Sequence, residues 1–131
     1  MANADVQVTL RGSAYEGGFP RYTPGEHIQG SVMVNPDKDI NCRAVRARLL
    51  WYTEGTGDRD EGVLAEQVLT EGALRANTPT HFSFSFSAGN QPWSYAGHHI
   101  HIIWAVEVVV DMAWARDPHG EARFILRPQA A

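Results

Sequence analysis

The chain holds one cysteine, Cys42, and one lysine, Lys38, among 131 residues. A lone cysteine cannot close an intramolecular disulfide. A chain of this length buries roughly two-thirds of its unfolded surface, enough for a core without staples or a structural metal. The opening MANADVQVTL lacks the basic start and apolar core of a secretory leader. Together with Cys42, that predicts a reducing, cytoplasmic setting. Uninterrupted apolar runs such as Val108–Val110 are far too short for a membrane span. Low-complexity tracts, linkers and repeats are missing too, so residues 1–131 are expected to form a single domain.

Positive charge is sparse and dispersed. Eleven basic residues face fifteen acidic ones for a formal net charge of −4, and the arginines are scattered from Arg11 to Arg127. Only Arg43, Arg46 and Arg48 come close together, and their strand-like spacing suggests a solvated face. Nucleic acid requires a concentrated basic face to replace condensed counterions, so it is not an expected partner. No GxSxG, HExxH, Walker A or GxGxxG pattern occurs. Cys42 has no neighbouring histidine or electropositive setting that would make it a nucleophile, and it reads as a small buried hydrophobe. The expectation is a non-enzyme that needs no cofactor.

What is present is period-two patterning, broken at regular intervals by Gly, Pro, Asn and Asp, the pattern of a sandwich or barrel. Val6, Val8 and Leu10 alternate with polar residues; Ile28, Gly30, Val32 and Val34 share a face after Thr23-Pro24-Gly25. From Cys42 to Thr53, Val45, Ala47, Leu49 and Trp51 face one way, and Arg46, Arg48, Leu50 and Tyr52 the other. Val63–Leu69 fits a short helix or a strand, and its bracketing by turn residues favours the strand. Phe82, Phe84 and Phe86 alternate strictly with serines, which only a strand places on one face. The longest strand, His99 to Ala113, carries a core row from Ile100 to Val110, and Ala122–Leu126 should return beside it after Asp117-Pro118-His119-Gly120. Seven or more strands result, an all-β, immunoglobulin-like antiparallel sandwich.

Tyr22-Thr-Pro-Gly-Glu-His-Ile-Gln-Gly-Ser-Val-Met-Val34 resembles the YxPGExIxGxVxV segment of arrestin-like domains. Pro92-Trp-Ser-Tyr-Ala-Gly97 with Ile100–Val106 resembles their PxSYxGxxIxIxWxVxV segment, and Phe82–Phe86 sits where they carry an FxFxLP-type strand. That superfamily takes in arrestins, arrestin-domain trafficking adaptors, Vps26-type retromer subunits and sporulation-control proteins of the Spo0M type. The resemblance covers most of residues 22–112 and implies arrestin-like topology and a protein-interaction, scaffolding or adaptor role with a protein partner. An arrestin proper has two such sandwiches and this chain has room for one. The charged clusters that hold arrestins in their basal state have no match, so receptor or phosphate binding is not implied.

Three features invite a site. Ile103, Ala105 and Val109 are apolar on the outer row of the long strand. They form either a partner-docking face or a surface covered by a loop such as Glu71–Thr78, or by a second copy of the chain; a sheet edge is the other route to a homo-oligomer. In His98-His99-Ile100-His101, the side chains of His99 and His101 would point the same way, which can hold a metal if a third ligand approaches, whereas His98 points away. Trp51 and Trp104 fall on core rows, while Trp93 and Trp114 lie near strand ends where flat rings can stack on sugars. Asp58–Gly62 lacks the full alternation of a calcium loop and reads as a mobile acidic loop.

Overall fold

The computed structural model describes residues 3–97, 100–113 and 116–128. They form β1 (Ala4–Leu10), β2 (Tyr15–Glu16), β3 (Phe19–Tyr22), β4 (His27–Pro36), β5 (Ile40–Gly55), β6 (Glu61–Leu74), β7 (Thr80–Ser87), β8 (Tyr95–Ala96), β9 (Ile100–Asp111) and β10 (His119–Leu126). Two sheets face each other: a small one ordered β1-β4-β7 and a large one ordered β2-β3-β10-β9-β5-β6, with β8 attached to β9. Pairing is antiparallel except between β10 and β3, where Ile125 and Leu126 run parallel to Arg21 and Tyr22. Among the described residues no helix is long and apolar enough to cross a membrane.

The alternating residues fill the space between the sheets. Ile28, Val32 and Val34 of β4 and Phe84 and Phe86 of β7 meet Val45, Ala47, Leu49, Trp104, Val106, Val108 and Val110 of the large sheet in one core. Fully burying a side chain such as Trp104 or Leu49 (both essentially inaccessible) contributes about 1.5–3 kcal/mol. Gly30 interrupts the row because β7 comes too close for a side chain: a Cβ there would lie 2.7 Å from the Phe84 ring. The long strand's core row ends at Trp104: Ile102 is only half-buried and outside the core cluster, and Ile100 is exposed opposite Gly55.

The two sequence segments that resemble arrestin-like domains act as clamps. Thr23–Glu26 is a tight turn, with the Glu26 N–H donating to the Thr23 carbonyl at 3.1 Å and Gly25 at φ 78°. The Glu26 carboxylate accepts the Thr23 backbone N–H at 3.1 Å, which fixes the acid after the glycine. Tyr22 lies edge-on to Phe124, with centroids 5.4 Å apart, and its hydroxyl donates to the Arg11 carbonyl. In the second segment the Trp104 indole donates to the Pro92 carbonyl at 2.6 Å, across a stretch whose Gln91–Pro92 peptide is cis.

Candidate functional site: a cleft where two strands part

β9 and β10 pair from Val109↔His119 down to Trp104↔Phe124 and then separate. Beyond that point β10 turns to β3, and β9 takes β8, with Tyr95 opposite Ile102 and Ala96 opposite His101. Ser94 lies in the fork, 5% exposed. Its hydroxyl accepts the Leu126 N–H at 2.9 Å and its own N–H donates to the Leu126 carbonyl at 3.1 Å. A cleft of about 350 Å³ opens there, lined by Phe19, Tyr95, Ile102, Ile103, Arg123 and Ile125 among others. Ile103, Arg123 and Ile125 alternate with the core residues Trp104, Phe124 and Leu126, so the cleft lies on the outer face of the large sheet.

One wall is the hairpin β2–β3. Glu16 pairs with Phe19 across Gly17 and Gly18, at φ 59° and 85°, and a two-residue turn with both central residues at positive φ matches the twist of its strands. Arg127 ties this hairpin to the fork, one guanidinium N–H donating to the Ser94 carbonyl at 2.8 Å and another to the Glu16 carboxylate at 3.0 Å. That hydrogen bond holds the Glu16 carboxyl below its ordinary value despite some desolvation. On the sheet side Arg123 donates to Glu121 at 3.2 Å and reaches Glu54 at 3.7 Å. The rim cations and carboxylates therefore satisfy one another. Phe19 and Tyr95, 42% and 58% exposed, stand open on the two sides.

Of the three outer-row residues, Ile103 lines this cleft. Ala105 is fully buried and is not a surface a partner can touch; it packs with Leu50 and Tyr52 in a second apolar cluster. The cover is not Glu71–Thr78, since β6 runs on to Leu74 and pairs with β5. The acidic loop after β5 folds back through Thr53 and Asp60 and lays the Arg59 guanidinium 4.0 Å over the Tyr52 ring of that cluster. The Tyr52 hydroxyl donates to Glu121 at 2.9 Å, and burial together with that carboxylate pushes it up to about 12. Val109 is half-buried opposite Arg46 and His119. The Arg43–Arg46–Arg48 cluster is ion-paired: Arg43 and Arg46 on Asp111, Arg46 and Arg48 on Glu66. The Arg46 hydrogen bond, with help from Arg43, lowers the Asp111 carboxyl.

His98 and His99 lie outside the described residues, as does Trp114. His101 is exposed at the cleft, and among the described residues no three His, Cys, Asp or Glu side chains gather to hold a metal ion. Trp104 is core, and Trp51 and Trp93 pack against that core, which leaves no described indole as an open stacking platform for a sugar. Cys42 is buried, its thiol raised by desolvation and donating to the Gly72 carbonyl at 3.2 Å. The hairpin β2–β3 is the part of the site that strand periodicity does not reveal. Its signal is the Gly17-Gly18 pair between Glu16 and Phe19.

No family model and no curated protein matches the chain. Among solved structures it is similar to Spo0M, a sporulation control protein from Bacillus subtilis, at 18% identity and a TM-score of 0.73. The fold is arrestin-like, of the Spo0M type. The match covers 96% of this chain and 50% of that one, so the chain spans about half the length of that protein.

Proposed function

We propose that the chain is a non-catalytic protein-interaction module that seats an extended segment of a cytoplasmic partner in the cleft at the β9–β10 fork, an aromatic or branched aliphatic side chain serving as anchor. The carrying observation is the division of labour in the cleft: its rim charges already pair with one another, while its floor of Ile102, Ile103 and Ile125 stays open beside Phe19 and Tyr95. An occupant gains most there by burying apolar surface, since charged groups would have to break existing pairs. A volume of about 350 Å³ suits one or two side chains better than a large cofactor. A regulatory or adaptor role agrees with the likeness to a protein described as a sporulation control protein.

The test uses an array of extended peptides that differ at one central position, with methyl NMR of Ile102, Ile103 and Ile125 as the readout. Peptides with a central Phe, Leu or Ile are expected to shift those methyls, and those with Asp or Gly are not. Phe19→Ala with Tyr95→Ala removes two exposed rings without touching the core and should weaken binding about tenfold or more, the range of an interface anchor. Binding that ignores the central residue, or that survives the double substitution unchanged, would overturn the reading.

A further inference from the structure

A second surface lies at the far side of the large sheet, independent of the cleft. β6, fourteen residues long, is an edge strand: among the described residues it pairs with β5 and with no strand beyond it. Its register against β5 shifts three times. Between Cys42↔Gly72 and Val45↔Thr70 the extra residue is on β5. Two slips fall on β6 itself, where Leu64 is passed between Ala65↔Leu49 and Val63↔Leu50 and where Leu69 is passed between Thr70↔Val45 and Val68↔Arg46. Each bulge resets the alternation of faces. Leu50, Arg48 and Arg46 are on the outer face of β5, so their partners Val63, Glu66 and Val68 are outward on β6, and Glu61 joins them opposite Tyr52. Glu71 follows on the same face, one residue beyond the core-facing Thr70. The two slips thus convert a five-residue spacing of glutamates into one outward row, Glu61-Val63-Glu66-Val68-Glu71.

That row is both apolar and acidic. Val63 and Val68 are 50% and 51% exposed. Residues 58–74 hold five carboxylates against the single cation Arg59, which matches the chain's whole formal net charge of −4. Glu66 is shared by Arg46 and Arg48 of β5, whereas Glu61 and Glu71 lie exposed at the two ends of the row. A second copy is a poor occupant. Antiparallel self-pairing centred on Glu66 sets that residue against its copy and Glu61 against Glu71, and like charges directly opposite destabilise a strand pair.

We infer that the β6 edge accepts an added β-strand from a partner in which basic and apolar residues alternate on one face, complementary to the Glu–Val row. Main-chain hydrogen bonds to the free edge supply the docking, and the row selects the charge of the occupant.

The probes are two nine-residue peptides, Lys-Thr-Val-Thr-Lys-Thr-Val-Thr-Lys and its counterpart with Glu in place of each Lys, added to the intact chain. Amide hydrogen exchange is the readout. The Lys peptide is expected to slow exchange at alternate β6 amides, and raising salt from 0.05 to 0.5 M should weaken it about tenfold, since these charges are exposed. The Glu peptide should leave β6 unprotected. Glu61→Lys combined with Glu71→Lys should reverse the preference, with an unchanged circular dichroism spectrum showing that the fold survives. An N-methylated Lys peptide, which cannot extend the ladder, should not protect β6. Equal binding of both peptides, protection outside β6, no protection at about 1 mM, or protection of β6 by self-association alone would each overturn the inference.

Discussion

Ser94 and Leu126 are joined twice, the serine hydroxyl accepting the Leu126 N–H at 2.9 Å and the serine N–H donating to the Leu126 carbonyl at 3.1 Å. One residue thus does the work of a strand neighbour at the point where β10 has left β9. Leu126 is completely buried, so its N–H has no access to solvent if the hydroxyl is removed. Ser94→Ala should cost about 1–3 kcal/mol, the penalty for a buried donor left unsatisfied. A lowered urea midpoint and faster exchange of the Leu126 amide are the expected signs; an unchanged midpoint would show that the fork does not depend on this clamp.

Gly30 is the corresponding weak point of the small sheet. A Cβ at this position would meet the Phe84 ring at 2.7 Å and press on the Thr9 carbonyl, and the latter is backbone and cannot swing aside. Gly30→Ala is expected to destabilise by about 1–3 kcal/mol through overpacking. Phe84→Leu in the same chain should recover part of the loss, with a coupling of at least about 0.5 kcal/mol between the two sites. Strictly additive effects in the denaturation cycle would mean that the two residues do not press on each other.

The strands were legible because burial on one face leaves a period-two trace in the residues themselves. Phe84 and Phe86, and the row from Trp104 to Val110, lie in the core that this trace predicts. The arrestin-like segments were legible for the same kind of reason, since Glu26 and Ser94 each satisfy backbone groups that a turn or a fork would otherwise leave open. The cleft was not legible. It exists because β9 and β10 exchange partners, an event settled by Ser94 meeting a strand that lies thirty-two residues further on. The cation over Tyr52 was equally hidden, because Arg59 reaches that ring only after its loop has folded back onto the sheet. The glutamates of β6 share a face only through two bulges, and each bulge breaks the strict alternation from which a strand's faces are read.

Tyr22 and Tyr52 make the fold sensitive to alkali. Burial pushes each phenol from 10.0 up to about 12 in the folded chain, with nearby carboxylates adding to it. Below pH 10 the phenols are neutral in both the folded and unfolded states. Between about 10 and 12 only the unfolded chain ionises at these positions, so the folded state binds more protons and stability falls as pH rises through that window. Absorbance at 295 nm should show two tyrosines ionising near pH 12. Tyr22→Phe and Tyr52→Phe should each remove one late step and flatten the alkaline loss of stability. If the late ionisation persists in full in both variants, these two phenols are not its source.

Arg127 offers a way to loosen the cleft without unfolding the sandwich. Its two hydrogen bonds, to the Ser94 carbonyl and to Glu16, come from different arms of one planar guanidinium. Arg127→Lys should therefore fail nearly as completely as Arg127→Ala, since an ammonium cannot reproduce the fork geometry. Both groups are partly exposed, so global stability should change little. The hairpin should respond instead, and the Arg21 amide, which donates to the Ala14 carbonyl at 2.8 Å, reports on it by hydrogen exchange. Because the Arg127 bond holds the Glu16 carboxyl below its ordinary 4.5, the tether is fully present above that value and is lost as pH falls through the lowered one. Exchange at Arg21, corrected for its intrinsic pH dependence, should accelerate on acidification in the native chain. In Glu16→Gln it should be fast already and insensitive to pH over that range, and Arg127→Ala should match it. A slow Arg21 amide in Arg127→Ala would mean that the Gly17-Gly18 turn holds the hairpin unaided, and that the wall of the cleft is built into β2 and β3 alone.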